Sequence, residues 1–338
     1  MTTRMEEPPV PAADDPPRRL YVDPGVPDRA FRGVLRGGGA LVLAIMLLVG
    51  GFLTYRAWQA LEVARWDFIT TEAWEPEGHH FGIAAVMTGT ILIACVALVF
   101  AVPLALGTAL YISEYAPARI KQTLISVVDL MAAVPSVVYG LWGLFFFQGH
   151  VVTVSRWISS YFGWIPIFKV DGVDPSDPLA TATVYTSSTF IAGMVVSLMV
   201  APIICSVMRE VFSQAPVGER EGAFALGANR WGMIRSVVLP FGKGGMIGGT
   251  MLGLGRALGE TIAVYLIISP VFEIQPHILQ NGTNSVSALI ALRYGEATEF
   301  GMSALMAAGL ALFLMTLVVN FAASSIVARS RSGAASDS

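Results

Sequence analysis

Residues 81–113 read FGIAAVMTGTILIACVALVFAVPLALGTALYIS, 33 positions without one charged side chain. A run this long and apolar has few places to go. In lipid every backbone N–H and C=O must be satisfied within the segment, so the run is helical. About 20 apolar residues cross the roughly 30 Å hydrocarbon layer. Residues 81–113 therefore read as one long tilted span, which Pro103 is expected to kink or end. Similar runs recur along the chain, and they predict an all-α polytopic membrane protein with six transmembrane helices. The spans fall at about 37–58, 81–113, 124–148, 183–208, 244–269 and 300–328. Only 13% of the 338 residues are charged, against about 25% in a soluble domain. The net charge of −3 offers nothing to nucleic acid.

Six spans place both termini on one side. Lysine and arginine accumulate on cytoplasmic loops. The N-terminal segment, the 113–123 and 209–243 loops and the C-terminus hold 15 of them, and the opposite loops hold Arg65, Arg156, Lys169 and Arg293. Both termini are thus expected in the cytoplasm. The outer loops are acidic, with Glu72, Glu75, Glu77, Asp171, Asp174, Asp177, Glu296 and Glu299. Residues 1–36 hold seven prolines, six arginines and six acids. Such a segment buries too little apolar surface to offset its ordering entropy and reads as a disordered cytoplasmic tail. Residues 329–338 read as a second cytoplasmic tail. The outer loop 149–177 carries Trp157, Tyr161, Phe162 and Trp164, which suggests a short helix lying at the membrane surface.

Cys95 and Cys205 sit in uncharged runs and read as small buried hydrophobes. The histidines at 79, 80, 150 and 277 form no metal spacing, so no metal site is expected. No histidine, HExxH or paired aspartate lies within a span, which argues against an intramembrane enzyme. No G-x-x-x-x-G-K-[ST] is present, so the chain is expected to bind no ATP.

The fifth span is the exception to charge avoidance. Residues 250–264, TMLGLGRALGETIAV, carry Arg256 and Glu260. On a continuous helix, residues four apart share one face, about 6 Å apart along the axis. A charge at this depth costs roughly 2.5–3.5 kcal/mol on insertion scales and usually faces protein or a wet cavity. Gly249 and Gly253 share much of that face and invite close packing. Two readings stand. One is an internal ion pair that fixes helix packing. The other is a substrate path in which the Arg256 guanidinium, a planar set of donors matched to an oxyanion, attracts the cargo. Glu260 would then hold Arg256 when the path is empty.

The cytoplasmic loop 209–243 contains EREGAFALGANRWGMIRSVVLP over 219–240. Pro216 suits a first turn, Glu219 and Glu221 favour a helix N-terminus, Gly227 suits a C′ position and Asn229 an N-cap. A second short helix would run to Leu239, with Pro240 closing it. This stretch resembles the coupling motif of ABC importer permeases, EAA-x3-G-x9-I-x-LP. Glu221, Gly222 and Ala223 stand at its head, Gly227 at its glycine, and Val237, Leu239 and Pro240 at its end. Gly222 for alanine and Val237 for isoleucine are the departures. Residues 114–147 and 253–264 are further similar to PstC-type permease subunits of phosphate-specific ABC importers. The similarity runs from about 38 to 328. The resemblance implies a type I (MetI-like) permease fold over 81–328, with coupling helices, in a bacterial cytoplasmic membrane. It implies inward phosphate transport by a subunit that is not itself an enzyme. The implied partners are a second, PstA-like permease, two copies of a PstB-like ATP-binding subunit that uses ATP and Mg, and an external PstS-like phosphate-binding protein. An importer of sulfate, molybdate or phosphonate is the alternative, because one arginine does not separate tetrahedral anions. An ion-coupled transporter would leave the cytoplasmic helix pair unexplained.

Overall fold

The computed structural model describes residues 25–172 and 182–331. The tail expected over 1–36 lies partly outside this range, as do Asp174, Asp177 and the end of the 329–338 tail. The chain divides into two units, 1–49 and 50–338. The described part of the first is helical and largely solvent-facing, part of α1 (Val26–Ala64). Residues 26–36, expected as disordered tail, are instead helical. Asp28 and Arg32 pair at 3.2 Å one turn apart, and Phe31, Val34 and Leu35 continue the apolar character of the first span.

In the second unit, α2 (Asp67–Thr70) and a two-stranded hairpin, β1 (Trp74–Glu75) and β2 (His80–Phe81), precede α3 (Ala84–Leu110). α3 passes through Pro103 without ending and finishes in a π turn, Tyr111–Tyr115. α4 (Ala118–Ala133) and α5 (Ser136–Trp142) follow. Pro135 separates them, since proline excludes helical backbone from the residue before it; Val134 has ψ 129°. The expected span 124–148 is therefore cut. The Met131 carbonyl, which Pro135 leaves without its usual i+4 donor, accepts from the Val134 N–H at 3.3 Å and from the Tyr139 hydroxyl at 3.0 Å. After a π turn, α6 (Gln148–Phe162) carries the same rod onward. The surface helix expected in the outer loop is thus the end of a span.

α7 (Thr189–Ser213) is capped by the Ser188 hydroxyl, which accepts from the Ile191 N–H. α8 (Val217–Ala225) and α9 (Arg230–Met233) form the helix pair expected in the loop 209–243. A π turn at Ile234–Val238 joins α9 to α10 (Leu239–Leu258). Pro240 does not close a helix, as expected from sequence, but sits in the first turn of α10. The wider turn before it accommodates the ring and the missing N–H. α11 (Ile262–Ile267), α12 (Val286–Arg293) and α13 (Glu299–Arg331) complete the chain. Among the described residues, six helices are long and apolar enough to cross a membrane.

Two apolar clusters hold the second unit together. The larger joins α3, α7, α10 and α11 around Ile93, Val195, Ile204 and Val264. Glycine lets backbones meet there: a Cβ on Gly249 would stand 3.2 Å from the Ile204 carbonyl oxygen, and one on Gly253 within 2.6 Å of the Ile204 side chain. The smaller joins the end of α1 to α3, α12 and α13 through Ala57, Ala60, Ala304 and Ala308. Cys205 is buried as expected, but Cys95 is exposed on α3.

Outside the spans, Asp171 takes Lys169 at 2.6 Å and His277 at 3.1 Å, and His277 Nδ1 lies 2.7 Å from the Pro166 carbonyl. The Lys169 hydrogen bond, reinforced by the charges of Lys169 and His277, holds the Asp171 carboxyl below its ordinary value. A depressed acid stabilises the fold above its unfolded pKa of about 3.9 and loses that contribution as pH falls through the lower folded value. Amide exchange at Ile278, which donates to Ile167, should stay slow from neutral pH down to that range. It should accelerate only below it.

Candidate functional site

Gly227 adopts φ +87°, the left-handed conformation that a glycine enters without strain. Its N–H donates to the Phe224 carbonyl at 2.9 Å, and the Ala228 N–H donates to Ala223 at 3.0 Å. These two bonds are a Schellman closure of α8. Pro216 is the N-cap residue rather than a first-turn residue. The Asn229 side chain accepts from the Gly232 N–H at 2.7 Å and starts α9. Asn229→Ala is expected to cost about 1 kcal/mol of local stability, read as faster amide exchange at Gly232.

The coupling-motif residues divide by environment. Ala223 and Leu239 pack against the main core. Glu221, Gly222, Gly227 and Pro240 are exposed. A Cβ added at Gly218 or Gly222 would meet nothing within 4 Å, so that flank of α8 is open to another molecule. Apolar side chains surround it: Val217, Phe224 and Trp231 are exposed, and Leu226 is 91% exposed. Four large apolar side chains exposed within fifteen residues suit a surface that another molecule covers.

Arg256 and Glu260 do not share a helix. α10 ends at Leu258, Gly259 caps it, and α11 begins at Ile262. Glu260 lies in the break, 8% exposed, and its Oε1 accepts from the Ala263 N–H at 3.1 Å. The carboxylate thus closes the first turn of α11. Among the described residues no ion pair joins the two. The expected one-face arrangement, and with it the holding role given to Glu260, fails because glycines on either side let the chain leave the helical path.

Arg256 is exposed. It borders a groove of about 460 Å³ walled by Ile203 of α7, Met251, Leu252 and Gly255 of α10, and Thr316 and Asn320 of α13. Gly255 keeps that wall thin: a Cβ there would stand 3.7 Å from Asn320 Oδ1. Counting from Lys243, Arg256 lies about 20 Å along the helix axis, within a helix long and apolar enough to cross a membrane. Thr316 and Asn320 escaped sequence reasoning, since an amide and a hydroxyl in an apolar helix carry no signature until α13 is placed beside α10. Arg220 and Glu114 escaped it too. The Glu114 side chain is 4% exposed and meets Arg220 at 3.0 Å.

Residues 101–332 match the family model for the binding-protein-dependent transport system inner membrane component. The chain belongs to this permease family. It is 36% identical over 303 residues to the phosphate transport system permease protein PstC 2 of Mycobacterium tuberculosis, covering 88% of this chain and 91% of that protein. To PstC of Pasteurella multocida it is 34% identical, covering 86% and 88%. To PstC of Mycobacterium leprae it is 38% identical, covering 81% and 85%. Among solved structures, a bacterial ABC transporter involved in import of the acidic polysaccharide alginate aligns with TM-score 0.54 at 18% identity, covering 89% of this permease and 99% of that chain. The inward-facing MetNI methionine ABC transporter aligns with TM-score 0.51 at 14% identity, covering 72% and 93%. These two likenesses establish the type I importer permease fold. The permease is a membrane-spanning transport subunit rather than an enzyme, and its family works with a binding protein and a separate ATPase.

Proposed function

We propose that this permease forms one half of the membrane channel of an ATP-driven importer that carries inorganic phosphate into the cytoplasm. The observation that carries the substrate is the set of PstC relatives, 34–38% identical over most of their length and named for phosphate transport. The chemistry agrees. Arg256 presents a fork of N–H donors suited to phosphate oxygens, beside the neutral donors of Thr316 and Asn320. A guanidinium exposed on the isolated chain at hydrocarbon depth cannot be left against lipid. It therefore faces water or a second permease subunit, PstA-like in this reading, and the path runs between the two halves. The helix break at 259–261 fits the same place, because irregular backbone at membrane depth is tolerated where it lines a cavity or is buried in protein. Glu260 serves the path by holding that break in shape.

On the cytoplasmic side, the open flank of α8 around Glu221, Gly222 and Gly227 docks one of two PstB-like subunits, which bind ATP and Mg. A PstS-like protein delivers phosphate from outside. The lysine and arginine bias supports an orientation with both termini in the cytoplasm. The test is reconstitution of the four components in proteoliposomes. Uptake of labelled phosphate should require ATP and the loaded binding protein. Uptake of sulfate or molybdate in its place, each with a matching binding protein, would assign the permease to another oxyanion.

A further inference from the structure

The coupling loop grips a membrane helix that sequence reasoning did not connect to it. Arg220 on α8 donates Nη1 to Glu114 Oε2 at 3.0 Å, Nη2 to the Phe212 carbonyl at 2.6 Å and Nε to the Ala215 carbonyl at 3.2 Å. One guanidinium thus ties α8 to the last turn of α7 and to the π turn Tyr111–Tyr115 that ends α3. α9 reaches the same turn, with the Arg230 guanidinium 5.2 Å from the centre of the Tyr115 ring. The Arg220 and Glu114 side chains are only 21% and 4% exposed, and Glu114 Oε1 has no partner.

A buried ion pair is weak evidence of stabilisation, because desolvation offsets most of its attraction; what such a pair does well is fix one arrangement over others. Arg220 also lies against the negative, carbonyl end of α7, which favours a cation and leaves few other positions for the guanidinium. The Glu114 Oε1 atom is buried without a partner, so one acceptor of the pair is left unused in this arrangement.

We propose that Arg220 and Glu114 are positioning residues for energy coupling: they pass movement of the ATPase-docked α8 to the π turn at the end of α3. The inference rests on α8 being the docking helix. It makes α3, beside α10, a second output of the motor.

The experiment uses the complete reconstituted complex and measures three things: ATPase retained on purification, ATP hydrolysed, and phosphate moved per ATP. Arg220→Ala would strand the Glu114 charge, so the readout variants are the pair Arg220→Met with Glu114→Leu, and Arg220→Lys alone. The pair is expected to keep the ATPase bound and hydrolysing while phosphate moved per ATP falls at least tenfold. Arg220→Lys, which restores one charged contact but not the fork, should recover part of that ratio. An unchanged ratio in the pair overturns the proposal. So does loss of the ATPase from the complex, which would make the contact a brace for the loop. If the pair fails to insert, Glu114→Gln, equal in shape but uncharged, decides: a several-fold drop in the ratio supports the proposal and wild-type coupling overturns it. Failure of the docking reading shows separately, as retention of the ATPase by a variant that blocks the open flank of α8.

Discussion

Arg256→Ala is expected to cut ATP-dependent phosphate uptake by at least a hundredfold while the four-component complex still assembles. The expectation follows from position. Arg256 packs into no core and makes no ion pair among the described residues, so its removal leaves no buried partner unsatisfied. What it removes is the one cation on this groove. Hydrogen bonds to charged groups contribute about 1.5–3 kcal/mol each, so losing two reaches that factor. Arg256→Lys keeps the charge and loses the fork, and should fall between. Uptake should be measured with loaded binding protein at saturation, so that a change reports passage rather than delivery. An Arg256→Ala complex that transports at the wild-type rate would remove the residue from the path.

Gly222→Leu and Gly227→Val should both release the ATPase, for different reasons. Gly227 stands at φ +87°. A β-branched residue is held out of that region, at a cost of about 1–3 kcal/mol, and the two hydrogen bonds that close α8 go with it. Its effect is on the shape of the loop. Gly222 is helical with open space at its Cβ, so leucine there should raise helix propensity and leave the permease intact. Any loss of ATPase then comes from steric exclusion of the partner. Co-purification in mild detergent reads both, and thermal unfolding of the permease separates them: Gly227→Val should lower it and Gly222→Leu should not. ATPase retained by Gly222→Leu would place docking elsewhere.

The number of apolar rods was legible because lipid leaves one solution for an uncharged run, but the third runs over 136–162 rather than 124–148 and the fifth over 230–258 rather than 244–269. So was the local punctuation of the coupling loop, because Gly227 and Asn229 act through their own backbone. The failures share a different cause. Pro135 and Pro240 are chemically alike, yet one cuts a helix and the other opens one, depending on whether a π turn precedes it. Arg256 and Glu260 match a four-residue spacing only while the helix persists, and the glycines at 255 and 259 that let it stop also look like packing residues. Glu114 gave no sign of burial, since the arginine that covers it lies 106 positions away. Spacing rules speak for residues on one element, and these sites are made by several.

The π turn at Ile234–Val238 makes the stretch from Arg230 to Leu258 one unbroken rod. It is about 43 Å long at 1.5 Å per residue. No flexible linker intervenes between the start of α9 and the Arg256 guanidinium near the far end of the rod. A tilt imposed at the base is therefore magnified at the tip as on a rigid pointer. The overwide turn is a point of compliance in that rod, so stiffening or loosening its five residues would retune how a tilt at the base reaches the tip.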